Sequence, residues 1–164
     1  MAFSNNITRA MKPFQALPKG LRQRALSMIF GRVVPYVGTS GLLYEEITET
    51  RVVVSVKNRR KVQNHIHSVH AAAMALLAET ASGFVVGVNL PDDKLPLIKI
   101  LKVDYTRRSS GDLRAVATLS QHDINRIRNE PKGEVLVPVV LTDATGEQPV
   151  NCEMLWAWTS KKRS

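Results

Sequence analysis

The feature that most constrains the fold is a run of strong helix formers at residues 68–88 whose apolar side chains occupy almost every helical face. Its first turns hold Ala71, Ala72, Met74, Ala75, Leu76, Leu77 and Ala78. A helix that is apolar all round must be buried. Most helices on sheets are amphipathic, so this one requires a sheet that curls around it, with an N-terminal helix or a second subunit covering the rest.

Strand-like segments lie on both sides of this helix. Residues 42–49 alternate in two sets, and residues 51–57 form a β-branched run that ends in a basic cluster. Four further strand candidates cover residues 98–106, 113–120, 134–142 and 150–159, separated by turns at 109–112 and 143–146 and by a polar stretch at 121–132. Successive turn-linked strands favour antiparallel pairing. The order predicts an α+β protein with a hot-dog fold, in which a curled antiparallel sheet wraps around a long central helix.

The N-terminus is basic and contains no acidic residue before Glu45. Six cations precede that position, namely Arg9, Lys12, Lys19, Arg22, Arg24 and Arg32. Such a segment is compatible with an organellar transit peptide. A permanent helix is favoured, because Pro18 suits a first turn, apolar residues share one face and Gly31 can end it. We expect one domain over residues 1–164, with a helical segment at 1–36 and the sheet and central helix at 37–164.

Composition narrows the class of protein. Hydrophobic residues make up 44% and charged residues 23% of the 164-residue chain, which is typical of a globular protein. No apolar run approaches the roughly 18 residues of a membrane span. The net charge of +9 calls for an anionic partner, a membrane surface or simple solubility. Cys152 is the only cysteine, so an internal disulfide is impossible and a reducing, cytoplasmic location is expected.

A distinctive motif lies where the second strand leads into the central helix, at residues 64–72, with the letters NHIHSVHAA. Asn64 precedes His70 by six positions, and Glu79 follows His70 by nine. Both spacings resemble those of the hot-dog thioesterase superfamily, and the whole chain is similar to an uncharacterised branch of it. The resemblance implies an acyl-CoA thioesterase that works as a homodimer or a dimer of dimers. In such a dimer Glu79 of one subunit faces Asn64 and the helix start of the other.

Physical chemistry indicates catalytic roles for the residues of this motif. Unpaired N–H groups at Ala71 and Ala72 lie at the positive end of the helix dipole, where they can stabilise a thioester oxyanion. A carboxylate at Glu79, inside an apolar helix, should have a raised pKa suited to a general base or nucleophile. Asn64 is interpreted as a water or substrate positioner or as a turn residue, and His70 as a substrate contact or a structural residue. Well-known members carry His-Gly-Gly and Asp where this chain has His70-Ala71-Ala72 and Glu79. The two alanine methyl groups of this chain narrow the approach to the backbone donors.

The basic residues suggest where the coenzyme A part of the substrate binds. Arg60, Arg107 and Arg108 are expected to hold its phosphates, since guanidinium groups bind phosphate oxygens in bidentate fashion. No separate cofactor is expected. His65, His67 and His70 lack a ligand-like spacing, so no metal is expected either.

Three alternatives to the hydrolase stay open. One is a non-catalytic module that binds acyl thioesters on the same fold. Another is a dehydratase. A nucleic-acid binder is disfavoured, because aromatic residues make up only 5% of the chain and no recognition motif is present.

Overall fold

The computed structural model describes residues 3–161. The protein is an α+β hot-dog fold, as the sequence predicts. Its helices are α1 (Asn6–Met11), α2 (Lys19–Val33), α3 (Pro35–Ser40), α4 (Ala71–Gly87) and α5 (Gln121–Asn129), with short 3-10 turns at Lys12–Phe14 and Arg60–Val62. Its strands are β1 (Leu43–Ile47), β2 (Arg51–Val56), β3 (Lys94–Tyr105), β4 (Leu113–Thr118), β5 (Gly133–Val137), β6 (Val139–Asp143) and β7 (Val150–Ser160).

The sheet consists of two antiparallel halves in the orders β1-β2-β4-β6 and β3-β7-β5. Residues 134–142 were expected to form one strand, and the structure divides that stretch at Pro138 into β5 and β6. Proline has no N–H to donate, which ends regular pairing at this point. Its carbonyl still accepts from the Thr118 amide at 3.1 Å. One length of chain therefore pairs with β7 through its first part and with β4 through its second, and it joins the halves into one curled surface.

Helix α4 lies inside this curl. Ala78, Ala81 and Val85 are fully buried, and the helix packs against strands of both halves of the sheet. The prediction that an all-round apolar helix must be covered is confirmed. The helix begins at Ala71 rather than at residue 68, because His70 is its N-cap.

Part of the remaining surface of α4 is covered by the N-terminal helices, while Ala71 and Ala72 at its start stay exposed. Helix α2 begins directly after Pro18, as expected, but it continues through Gly31 to Val33. The expectation that Gly31 ends the helix is wrong. A Cβ at Gly31 would lie 2.9 Å from the Cα of Gly38, so the glycine permits α2 and α3 to approach closely. Helix α3 was not predicted, and residue 36, where the helical segment was expected to end, lies inside it.

Asn5 fastens the N-terminal helices to the far end of α4. Its side-chain Oδ1 accepts from the Thr8 amide at 2.9 Å and so caps α1. Its Nδ2 donates to the carbonyls of Gly87 and Leu90, both at 2.8 Å. One buried side chain thus satisfies the start of one helix and the end of another.

Helix α5 forms in the stretch that was expected to be a polar connection. Ser120 caps it, and two of its own residues, Ile124 and Ile127, are fully buried. The buried Lys94 ammonium donates to the carbonyls of Ile127, Arg128 and Glu130 at 2.9, 3.1 and 2.7 Å. A cation at the carbonyl end of a helix is electrostatically favourable, so Lys94 holds α5 against β3. Between residues 3 and 161, no helix is long and apolar enough to cross a membrane.

Candidate active site

The first turn of α4 presents a partly occupied set of backbone donors. Nδ1 of His70 accepts from the Ala72 amide at 3.0 Å. The expectation of a free N–H at Ala72 is therefore wrong. The Ala71 amide donates to no protein group in the part of the chain that the structure describes, and Ala71 is exposed. Ala71 thus offers one free donor at the positive end of the helix dipole.

Two further groups complete the helix start. Because Nδ1 of His70 is an acceptor, the proton of its neutral ring is on Nε2 and can be donated to a ligand. The hydroxyl of Tyr105, on β3, donates to the Ala71 carbonyl at 2.8 Å. That contact, which the sequence did not suggest, fixes the first residue of the helix against the edge of the sheet.

Asn64 organises the loop that leads into α4. Its Oδ1 accepts from the amides of Ile66 and Ser68, both at 3.1 Å. This is a turn role, one of the two interpretations given to the residue. Its Nδ2 has no hydrogen-bond partner within residues 3–161, so the amide can still donate to a water or a substrate.

Glu79 is half-buried on the wall of an apolar cavity. Burial raises the pKa of its carboxyl group above the usual value. Burial also raises the pKa of Tyr44, and the charge of Glu79 adds to the effect. The Thr80 hydroxyl is buried and unpaired within the described chain. The raised pKa expected for Glu79 is present, and Tyr44 is a neighbour that sequence patterns did not reveal.

The cavity beside Glu79 has a volume of about 390 Å³. Its walls come from α1, α2, α3, α4, β1, β3 and β7, and they are apolar apart from a few side chains. The lining residues include Ile7, Ala10, Phe30, Val37, Phe84 and Trp156. A cavity of this size and character suits an apolar ligand group.

Glu79 and the helix start lie far apart within one chain. Glu79 lies eight helical positions after Ala71, which corresponds to a rise of about 12 Å. A reacting carbonyl oxygen must lie about 3 Å from its oxyanion donor, and the general base must reach the carbonyl carbon through a single water. A single protomer therefore does not bring Glu79 together with Asn64, His70 and Ala71.

The three arginines expected to hold phosphates are in different situations. Arg107 forms an ion pair with Glu147 at 3.0 Å. Arg108 donates to the Ile66 carbonyl at 3.0 Å and to the Ser68 hydroxyl at 3.3 Å, so it braces the loop before α4. Arg60 is exposed at the start of a 3-10 turn.

The single cysteine, Cys152, is unreactive. Burial raises the pKa of the Cys152 thiol to about 11, so it is protonated at neutral pH and a poor nucleophile. Residues 3–161 contain no group of three or more His, Cys, Asp or Glu side chains arranged to hold a metal ion.

The fold is that of a thioesterase-like hot-dog protein, in a branch whose function is not established. The chain belongs to the family described as "Domain of unknown function (DUF4442)", whose model matches residues 22–158. No curated protein matches the sequence.

Solved structures share the fold over most of the chain. A structural-genomics crystal structure is 25% identical, with a TM-score of 0.76 over 96% of this chain and 100% of its own. A protein of unknown function from Pseudomonas aeruginosa, described as "Probable Thioesterase", is 25% identical, with a TM-score of 0.70 over 88% of this chain and 97% of its own. A thioesterase from Haemophilus influenzae is 13% identical, with a TM-score of 0.61 over 78% of this chain and 85% of its own, which establishes a common fold alone.

Proposed function

We propose that the protein is an acyl-CoA thioesterase that works as a homodimer. The observation that carries the proposal is Glu79, a carboxylate with a raised pKa on the wall of an apolar cavity. Buried carboxylates are costly unless they serve a purpose, and perturbed ionisable groups in cavities concentrate at functional sites. Thioesterases among the proteins of the same fold support the class of reaction.

The proposed reaction uses Glu79 of one subunit and the helix start of the other. The Glu79 carboxylate takes a proton from water, and the resulting hydroxide adds to the thioester carbonyl carbon. The Ala71 amide donates to the developing oxyanion, with His70 Nε2 and Asn64 Nδ2 as further donors. Collapse of the tetrahedral intermediate breaks the C–S bond, and the departing thiolate takes the proton from Glu79. The products are a carboxylic acid and the free thiol.

The edge of the sheet supports a dimer. Within the described chain β3 pairs only with β7, so its other edge is free. It also carries large apolar side chains that are 39% to 50% exposed, namely Leu95, Leu97, Ile100, Leu101 and Tyr105. A long exposed apolar edge favours pairing with another copy. Pro96 on this strand also lines the Glu79 cavity, so a partner seated there would bring its own residues beside Glu79.

Light scattering after size exclusion tests the assembly. We expect twice the chain mass of 18.2 kDa, or a higher even multiple. A stable monomer that hydrolyses acyl-CoA would contradict the shared site.

The acyl group is proposed to occupy the cavity beside Glu79, whose aromatic walls include Phe30, Phe84 and Trp156. Arg60, Arg107 and Arg108 stay predictions for the coenzyme A phosphates. Two of these arginines already bind protein groups, which weakens their case. With one half-buried thiol, we place the protein in a reducing compartment such as the cytoplasm.

Thiol release from a panel of acyl-CoA esters tests the proposed reaction. Glu79→Gln keeps the side-chain shape and removes its basicity, so kcat should fall by about 100- to 10,000-fold. The control is Glu153→Gln, at an exposed position on β7, which should leave kcat unchanged. Asn64→Ala should lower kcat/KM more gently. Normal hydrolysis by Glu79→Gln would remove Glu79 from the mechanism.

A non-catalytic acyl-thioester module is the second candidate. The observation that favours it is the occupied Ala72 amide, which leaves fewer backbone donors for an oxyanion. It predicts binding of acyl-CoA without thiol release from any ester in the panel.

A further inference from the structure

We propose that the groove between α2, α3 and β2 binds the phosphates at the nucleotide end of coenzyme A. Four cations line this groove, Arg24 and Arg32 from α2 and Lys57 and Arg59 after β2. Its volume of about 760 Å³ lies in the range of small-molecule sites. The identity of the ligand rests on the proposed function. The anion site itself rests on the groove.

The charge of the groove is uncompensated. No acidic residue lines it. Within residues 3–161, none of its four cationic side chains forms an ion pair within 4.0 Å or a side-chain hydrogen bond. Many other arginines of the chain have carboxylate partners, as Arg107 and Arg114 do. Like charges gathered in one groove repel each other, so an anion bound among them is favoured.

Two cations converge on one point at the end of α3. A Cβ at Gly41 would lie 3.0 Å from Nζ of Lys61 and 3.7 Å from Nη2 of Arg59. Gly41 has a φ of +69°, a conformation that glycine adopts without strain, and it has no side chain to fill this point. An anionic oxygen near Gly41 would therefore meet an ammonium and a guanidinium group together.

Lys61 connects the groove to the start of the central helix. It lines a neighbouring cleft of about 270 Å³ together with Thr39, Gln63, His70 and Ala72. Helix α3 contributes residues to both the groove and the cleft. A ligand with phosphates at one end and a thioester at the other can thus place the first in the groove and the second near Ala71. The chemistry required is a set of phosphates joined to a thioester by a long flexible arm, which coenzyme A provides.

Calorimetric titration with free coenzyme A tests the site, because that ligand binds without being hydrolysed. In Arg24→Glu/Arg32→Glu the affinity should fall about tenfold or more, since two favourable contacts become repulsive. The matched control is Lys12→Glu/Lys132→Glu, which makes the same change in net charge outside the groove and should change the affinity less than twofold. Circular dichroism verifies folding. Added salt should weaken binding to the native protein more than binding to the groove variant.

The outcomes separate this proposal from the proposed function. Coenzyme A binding that the groove variant alone loses supports the site, even if the native protein hydrolyses no thioester. Hydrolysis of acyl-CoA by the native protein, with normal coenzyme A affinity in the groove variant, overturns the site and leaves the reaction intact. The site is also overturned if only Arg107→Glu/Arg108→Glu loses affinity, or if the native protein does not bind coenzyme A. Loss of salt-sensitive oligonucleotide binding with unchanged coenzyme A binding would assign the groove to nucleic acid instead.

Discussion

The length of the acyl chain should control affinity up to a limit that the Glu79 cavity sets. The cavity holds about 390 Å³. A methylene group occupies about the volume of one liquid water molecule, roughly 30 Å³, so about a dozen carbons fill the space. Each buried methylene contributes about 0.8 kcal/mol, or about fourfold in affinity. Affinity for acyl-CoA should therefore rise about fourfold per added carbon and level off near twelve.

Ala10→Leu tests the position of the chain in the cavity. Ala10 lines the cavity from α1 and is exposed, so a larger side chain there fills empty space without displacing the core. Leucine adds three carbons, and the plateau should move down by about three carbons. Ala16→Leu, on an exposed turn outside the cavity, is the matched control and should leave the plateau in place. Equal plateaus for the two variants, or no dependence on chain length, would refute the acyl assignment of the cavity.

Three other measurements examine stability and geometry. Lys94→Met should lower the free energy of unfolding by about 2 to 3 kcal/mol, because three carbonyls at the end of α5 lose their buried donor. The control Lys99→Met, at an exposed ion pair, should lower it by under about 1 kcal/mol. Because its pKa is raised, Glu79 binds its proton more tightly in the folded protein than in the unfolded chain. Urea titrations should therefore show the native protein losing stability relative to Glu79→Gln as pH rises from about 4 through the raised pKa. Tyr105→Phe removes the hydrogen bond to the Ala71 carbonyl and so loosens the start of α4. It should lower kcat on acyl-CoA while leaving the melting temperature nearly unchanged.

The fold was predictable because its main elements have strong and regular patterns. The central helix is apolar on all faces, and the strands alternate or are rich in β-branched residues, so local and global preferences agree. Helix α5 was missed because only Ile124 and Ile127 mark its buried face in a polar stretch. The division of residues 134–142 into β5 and β6 depends on one proline. The close contact of Gly31 with Gly38 depends on a pairing of helices that no local pattern encodes.

The candidate site was predictable only in part. Glu79 stands out in sequence because a carboxylate within an apolar helix has no local reason to be there. Tyr44 becomes its neighbour through packing of β1 near α4, which spacing does not show. The arginines show the same limit, because Arg107 finds Glu147 and Arg108 finds Ile66, both about forty positions away in the chain. A count of cations identifies candidates, and only the structure shows which ones are already paired.

The long-range contacts of Asn5 determine when, during synthesis, the N-terminal helices can dock. Its side chain donates to carbonyls 82 and 85 residues further along the chain, and α1 has only six residues. A helix that short is unstable in isolation. At about 5 to 20 residues per second, a ribosome needs roughly 4 to 17 s to make the residues between Asn5 and Leu90. The basic N-terminal helices are therefore made before the residues against which they dock, and for those seconds they are exposed to the anionic surfaces that surround the nascent chain.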